Sequence, residues 1–191
     1  LADIHTRYSG MQQDFIHGLI HQLSKDKVKE YLHEELDFAT FDVNSFEYTT
    51  EKLAIPAINE KLNIFVSGYA TITGKRIFIN PNIMTKISNT LSTDSSRKYD
   101  VLLTSEYVDI DSLEIQLPAG YSVESLPKDV QIDSKFGKYT SSVKFESDKL
   151  LYYRKMERNS GRFPPAAYQD LANFYNSISK ADKSKVVLVK K

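Results

Sequence analysis

Cysteine is absent from this chain, and that gap removes thiol nucleophiles, disulfides and thiolate metal sites together. Tryptophan is absent too, which weakens any case for a sugar-stacking platform built on its large ring. Seven glycines and six prolines are too few for a collagen-like or low-complexity chain. Neither sign of charge is in excess, because Lys plus Arg and Asp plus Glu both number 25, so no global field draws in a polyanion or an anionic membrane. No window of ~18 apolar residues occurs to span a bilayer as a helix. Leu1-Ala2-Asp3-Ile4-His5 has no charged stretch leading into an apolar one, and a start without Met inside a strand-like pattern reads as a fragment or processed form. Gly-x-Ser-x-Gly, Gly-x-Gly-x-x-Gly and the phosphate-cradling Gly-Lys-Ser/Thr loop are all missing, which leaves a serine-hydrolase elbow and a nucleotide site unsupported.

What remains is an ordinary globular composition, 191 residues of which 41% are hydrophobic and 26% charged. That length makes one substantial domain or two small ones and buries roughly 70% of the unfolded surface. Met11, Phe15, Leu19, Ile20 and Leu23 fall on one stripe at helical spacing, predicting an amphipathic helix over 11–23. Ser24 is placed to cap a second helix whose Val28, Tyr31, Leu32 and Leu36 share a face. The period then changes to two, with Phe41 and Val43 followed by Phe46 and Tyr48, and the parity break at Asn44-Ser45 predicts a bulge. Leu62, Ile64 and Val66 alternate, Ala70 and Ile72 continue the pattern after Gly68, and Gly74-Lys75 turns into Ile77-Phe78-Ile79.

Residues 88–98, rich in Ser, Thr and Asp, read as a linker or long loop. Beyond it come short strand-like runs at 101–108, 113–117, 123 and 130–132, with a hairpin turn expected at Pro118-Ala119-Gly120. A hairpin follows over 139–146 and 150–157 with Ser147-Asp148 at its tip. Pro164-Pro165 opens a helix in which Tyr168, Leu171, Ala172, Tyr175 and Ile178 form a stripe, and 186–189 closes as a strand. About ten short strands joined by tight turns, with three helices covering sheet faces, predict an α+β fold that is mainly β, with antiparallel, sandwich-like sheets. The expected halves are 1–95, net −3, and 96–191, net +3, either as separate domains or as one continuous domain.

Candidate chemistry is thin. His17 and His21 stand four apart, a spacing that can put two imidazoles on one metal, but the Glu that a zinc-protease helix needs after the first His is replaced by Gly18. Both project opposite the apolar stripe, so a solvated polar face is the preferred reading and no metal is assigned. Asp109, Asp111 and Glu114 lack the alternating acids and the Gly of a calcium loop, and read as an exposed strand face. Tyr152-Tyr153-Arg154-Lys155 with Arg158 and Arg162 interleaves rings and cations, yet strand alternation splits the set between two faces, so nucleic acid is not expected as a partner. Twelve Tyr and ten Phe mostly fill sheets. Tyr8, Tyr69, Tyr107 and Tyr121 are not obviously core and form the candidate ligand surface, with a glycan or peptide as the ligand. No catalytic residue and no cofactor is expected.

The stretch Leu117-Pro118-Ala119-Gly120-Tyr121-Ser122-Val123-Glu124-Ser125-Leu126-Pro127, then Phe136-Gly137-Lys138-Tyr139-Thr140-Ser141-Ser142-Val143, carries a family resemblance. Tyr153-Arg154-Lys155, Ser160-Gly161-Arg162-Phe163-Pro164, Tyr168 and Ala181-Asp182 add to it. So do Tyr8-Ser9-Gly10, Gly68-Tyr69-Ala70, Gly74-Lys75-Arg76 and Phe78-Ile79-Asn80-Pro81. Together they resemble the uncharacterised β-rich region that follows the transglutaminase-like core of large bacterial cell-envelope proteins. The resemblance implies a periplasmic or cell-surface location and a parent with protease-like or acyl-transfer chemistry upstream. Such cores use Cys, His and Asp, and with no Cys here none of those roles can be carried over. The expectation is a non-catalytic structural or interaction module whose partner is the upstream catalytic domain; the alternatives are a carbohydrate- or peptide-binding module and an independent hydrolase.

Overall fold

The structure, a computed structural model, describes residues 2–87, 90–92 and 96–191. Among the described residues strand is the dominant element at 47%, arranged in several antiparallel sheets with three helices and no barrel. The chain divides into two compact units, Leu1–Tyr69 and Ala70–Lys191.

The first unit runs β1 (Ala2–Ser9), α1 (Met11–Gln22), α2 (Lys25–Glu35), β2 (Phe41–Glu51) and β3 (Ala57–Val66), with sheet order β1-β3-β2, antiparallel throughout. The Ser24 side chain accepts from the Lys27 N–H as the predicted cap of α2, and β2 shifts register between Val43 and Ser45, where the parity break predicts the bulge. Central strand β3 turns Ile58, Glu60, Leu62 and Ile64 into the core, beside Ile4 of β1 and Val43 of β2. Helix α1 packs on β1 and β3, and α2 on β2, contributing Ile16, Leu19, Val28 and Leu32. The apolar stripe expected on α1 is rotated. Met11 and Phe15 are 80% and 61% exposed, while Gln13, Ile16 and Leu19 are the buried positions, because the Phe15 ring packs sideways on Tyr31 of α2 at 5.6 Å rather than down onto the sheet.

The second unit contains β4 (Thr71–Thr73), β5 (Arg76–Ile79), β6 (Val101–Leu103), β7 (Tyr107–Gln116), β8 (Tyr121–Ser125), β9 (Val130–Ser134), β10 (Gly137–Glu146), β11 (Lys149–Arg158), β12 (Gly161–Phe163), α3 (Tyr168–Asp182) and β13 (Val186–Lys190). Two four-stranded sheets, β7-β11-β10-β9 and β4-β5-β13-β8, and the pair β12-β6 result. The hairpin β10–β11 turns at Ser147 and Asp148, both at positive φ (50° and 60°), the conformation a two-residue turn demands. Helix α3 lays Leu171, Phe174 and Ile178 against Phe136, Tyr139 and Met156, so Phe174 joins the stripe while Tyr168 and Tyr175 sit at its margins.

Three sequence expectations differ from the structure. The alternation seen through Gly68 is broken there: β3 stays in the first unit, whereas β4 pairs with β5 and β5 in turn with the C-terminal strand β13. The two compact units divide between residues 69 and 70, and residues 88, 89 and 93–95 of the expected linker lie outside the described residues. The run 101–108 separates into β6 and the start of the ten-residue β7. The turn Pro118-Ala119-Gly120 forms, with the Tyr121 N–H donating to Pro118 O at 3.3 Å and Gly120 at φ 80°. It makes no hairpin, however, because β7 pairs with β11 and β8 with β13, so the turn hands the chain from one sheet to the other.

Candidate functional site

In the second unit, alternation along β11 sends Tyr152, Arg154 and Met156 inward, and register places Asp111 of β7 directly opposite Arg154. Arg154 is only 1% exposed. Its Nε donates to Asp182 Oδ1 at 3.0 Å, its Nη1 to Thr85 Oγ1 at 2.9 Å and to Asp111 Oδ2 at 3.2 Å. Asp182, at the last turn of α3, also accepts from Tyr139 Oη at 2.8 Å, Asn82 Nδ2 at 3.0 Å and the Ile87 backbone N–H at 2.9 Å. Thr85 Oγ1 donates in turn to Asp111 Oδ2, and the guanidinium lies 5.4 Å from the centre of the Tyr139 ring. The segment supplying Asn82 and Thr85 is shaped by an Asx turn, the Asn82 N–H donating to Asn80 Oδ1 at 2.9 Å.

One cation thus sits between two carboxylates in the core. Burial opposes the charge on Arg154, but Asp182 and then Asp111 outweigh it and hold the guanidinium firmly protonated. For Asp111 burial dominates and raises its carboxyl above the ordinary value, although Thr85 and Arg154 both pull it down. Burial, with smaller contributions from Asp182, pushes the Tyr139 phenol up to about 12. The adjoining cavity, lined by Asn82, Ser141, Tyr152 and Asp182 among others, measures about 10 Å³, room for about one water molecule. Chemically the cluster ties β7, β10, β11, the 82–87 segment and the end of α3 into one unit.

In the first unit a second buried acid, Glu60, accepts from Tyr48 Oη at 2.6 Å and Tyr8 Oη at 3.3 Å, with no ion pair among the described residues. Burial, then Glu60 itself, raises both phenols well above the ordinary tyrosine range.

The four tyrosines expected to form a ligand surface have individual attachments. Tyr8 is committed to Glu60. The Tyr69 ring meets Phe38 edge-on at 6.0 Å, and burial raises its phenol to about 12. Tyr107 carries the Arg158 guanidinium at 4.8 Å from its ring centre. Tyr121 begins β8, in a different sheet from Tyr107. His17 and His21 are exposed on α1, as the helical count predicts. Among the described residues no group of three or more His, Cys, Asp or Glu gathers as a metal site, and no helix is long and apolar enough to cross a membrane.

Of the acidic trio Glu114 is exposed as expected, whereas Asp109 and Asp111 lie on the other face of β7. Asp111 points inward to Arg154, its side chain 10% exposed, while Val108 and Ile110 take the outward positions. Arg154, Asp182, Tyr139 and Glu60 carry most of the buried polar chemistry, and sequence reasoning missed all four. For Arg154 and Asp111 a signal was present: Arg154 shares parity with Tyr152 and Met156, and Asp111 with Leu113 and Ile115.

A family model described as "Domain of Unknown Function with solved-structure structure (DUF3858)" matches residues 75–188. No curated protein matches the chain. A solved structure described as a "putative protease" from Parabacteroides distasonis is similar at 19% identity and a TM-score of 0.45, covering 54% of this chain. The chain spans 20% of that structure's length.

Proposed function

We propose that this chain, which belongs to the DUF3858 family of domains of unknown function, is a non-catalytic structural and interaction module. In this reading it lies C-terminal to a transglutaminase-like core in a bacterial cell-envelope protein, at the cell surface or in the periplasm, with that core as its partner. The placement rests on the sequence resemblance. The role rests on one observation: in the second unit, Arg154, Asp111 and Asp182 converge in the core, with Arg154 1% exposed, and they are spent on each other and on neighbouring backbone. Charges built for catalysis face a cleft and keep a proton to give or take, whereas these hold a sheet, a loop and a helix end together.

The purified chain, incubated with peptide, isopeptide and envelope-glycan substrates, is expected to turn over none of them. Turnover that disappears on altering one of its own side chains overturns the role. A reading frame with no transglutaminase-like core ahead of Leu1 overturns the placement.

A binding function is the second reading, favoured by a surface other than the four tyrosines. On the outward face of β7-β11-β10-β9, Tyr153 lies opposite Ser112 and Ser142, with Val108 and Ile110 50% and 59% exposed nearby. Rings flanked by small hydroxyl residues suit a flat glycan or an extended peptide. Titration with envelope-glycan fragments or extended peptides should shift Tyr153 resonances, and unmoved spectra would remove this reading.

A further inference from the structure

We propose that His17 and His21 form a chelating site for a divalent transition-metal ion on the exposed face of α1. The two side chains stand one helical turn apart, with ring centres 4.3 Å from each other and planes inclined at 53°. Rings that close bring one nitrogen of each within reach of a single ion at the ~2.0–2.1 Å of a metal–imidazole bond. Both are exposed, and the helix that carries them fixes their spacing, so chelation requires little ordering of the backbone. Asp14, one turn ahead of His17, adds negative charge on the same side while its Oδ1 accepts from Gln13 Nε2 at 2.6 Å.

The chemistry of the donors selects the ion. Two neutral imidazoles favour Cu2+ over Ni2+ and Zn2+ in the usual affinity order, and they reject Mg2+ and Ca2+, which demand oxygen. With two protein ligands and water in the other positions the site is open and exchangeable, unlike the four-ligand sites that hold structural zinc. His17 also lines a groove with Gln13, Asp14, Thr50, Glu51 and Lys52, so the open coordination positions face solvent at that groove's edge.

The test is a Zn2+ titration of the full chain, read by the side-chain resonances of its four histidines. His17 and His21 should shift together and saturate at one ion. His5 on β1, and His33, whose ring packs on Phe41 at 4.8 Å, should not respond, and Mg2+ should move none of them. His21→Ala should weaken binding on the order of a hundredfold, because the second ligand no longer adds its effective concentration. His21→Gln combined with Gln22→His keeps the number of histidines, but turns one about 100° around the helix, and it should lose affinity equally. Circular dichroism of these surface variants should match the parent. If the displaced-histidine variant binds as tightly as the parent, or if all four histidines respond alike, no chelate exists and the proposal fails.

Discussion

Asp182 and Glu60 are both carboxylates folded into apolar surroundings, and the two regions hold them differently. Asp182 meets a guanidinium and three neutral donors from a strand, a loop and an asparagine. Glu60 meets two phenols from the strands flanking its own. A buried charge needs either an opposite charge or enough donors to replace its water. The second unit uses both and the first uses donors alone. The difference sets what each region should lose when one partner is removed: an unpaired charge in one, an unfilled lone pair in the other.

The largest effect is expected from Arg154→Met, which strands two carboxylates in the core. It should lower unfolding free energy by about 3–5 kcal/mol in urea titrations. Asp111→Asn should cost much less, because burial already works against the Asp111 charge. Equal losses for the two variants would break the claim that the guanidinium is the centre of the cluster. Leu171→Ala removes an α3 side chain that is 4% exposed in the apolar core beside the cluster, and an unfolding free energy lower by about 2–5 kcal/mol is expected. An unchanged midpoint would show that α3 does not seal that core.

Tyr48→Phe should cost about 1–2 kcal/mol, the loss of one donor to a buried carboxylate. A loss as large as that of Arg154→Met would mean that the first unit has no spare donor at Glu60. The smallest effect is alkaline. Folding raises the Tyr8, Tyr48 and Tyr139 phenols, by burial first. Their contribution is therefore complete below the ordinary value of ~10 and declines as pH rises through the raised ones, about 12 for Tyr139. Tyrosinate absorbance recorded alongside urea midpoints above about pH 10 should show ionisation and loss of stability together. Phenols that ionise near the ordinary value without loss of stability would contradict the burial assigned to them.

Local rules carried much of the fold into the sequence. The Ser24 cap, the bulge after Val43, the Gly74-Lys75 and Ser147-Asp148 turns and the α3 stripe all depend on neighbours a few residues away, and each is where the pattern put it. Sheet membership depends on distant partners and was not legible. Nothing within residues 117–121 reveals that β8 joins β13 rather than β7, and nothing near Gly68 reveals that the next hairpin belongs with the chain's end. The charged cluster failed for the same reason. Arg154 and Asp182 are 28 residues apart, so parity could put Arg154 on the Tyr152 face without showing that an acid from α3 waits there. The role of Gly137 was not legible either. At φ 148° it lets β10 pass so close to β11 that any Cβ would run into the Glu157 carbonyl.

The claim that the convergent charges serve as framework is tested most directly by a double-mutant cycle on Arg154→Met and Asp182→Asn, read as unfolding free energy in urea. The account predicts a coupling of about 2–3 kcal/mol between the two sites. Losses that simply add to within ~0.5 kcal/mol, with the Arg154→Met midpoint at the parent's value, would contradict it.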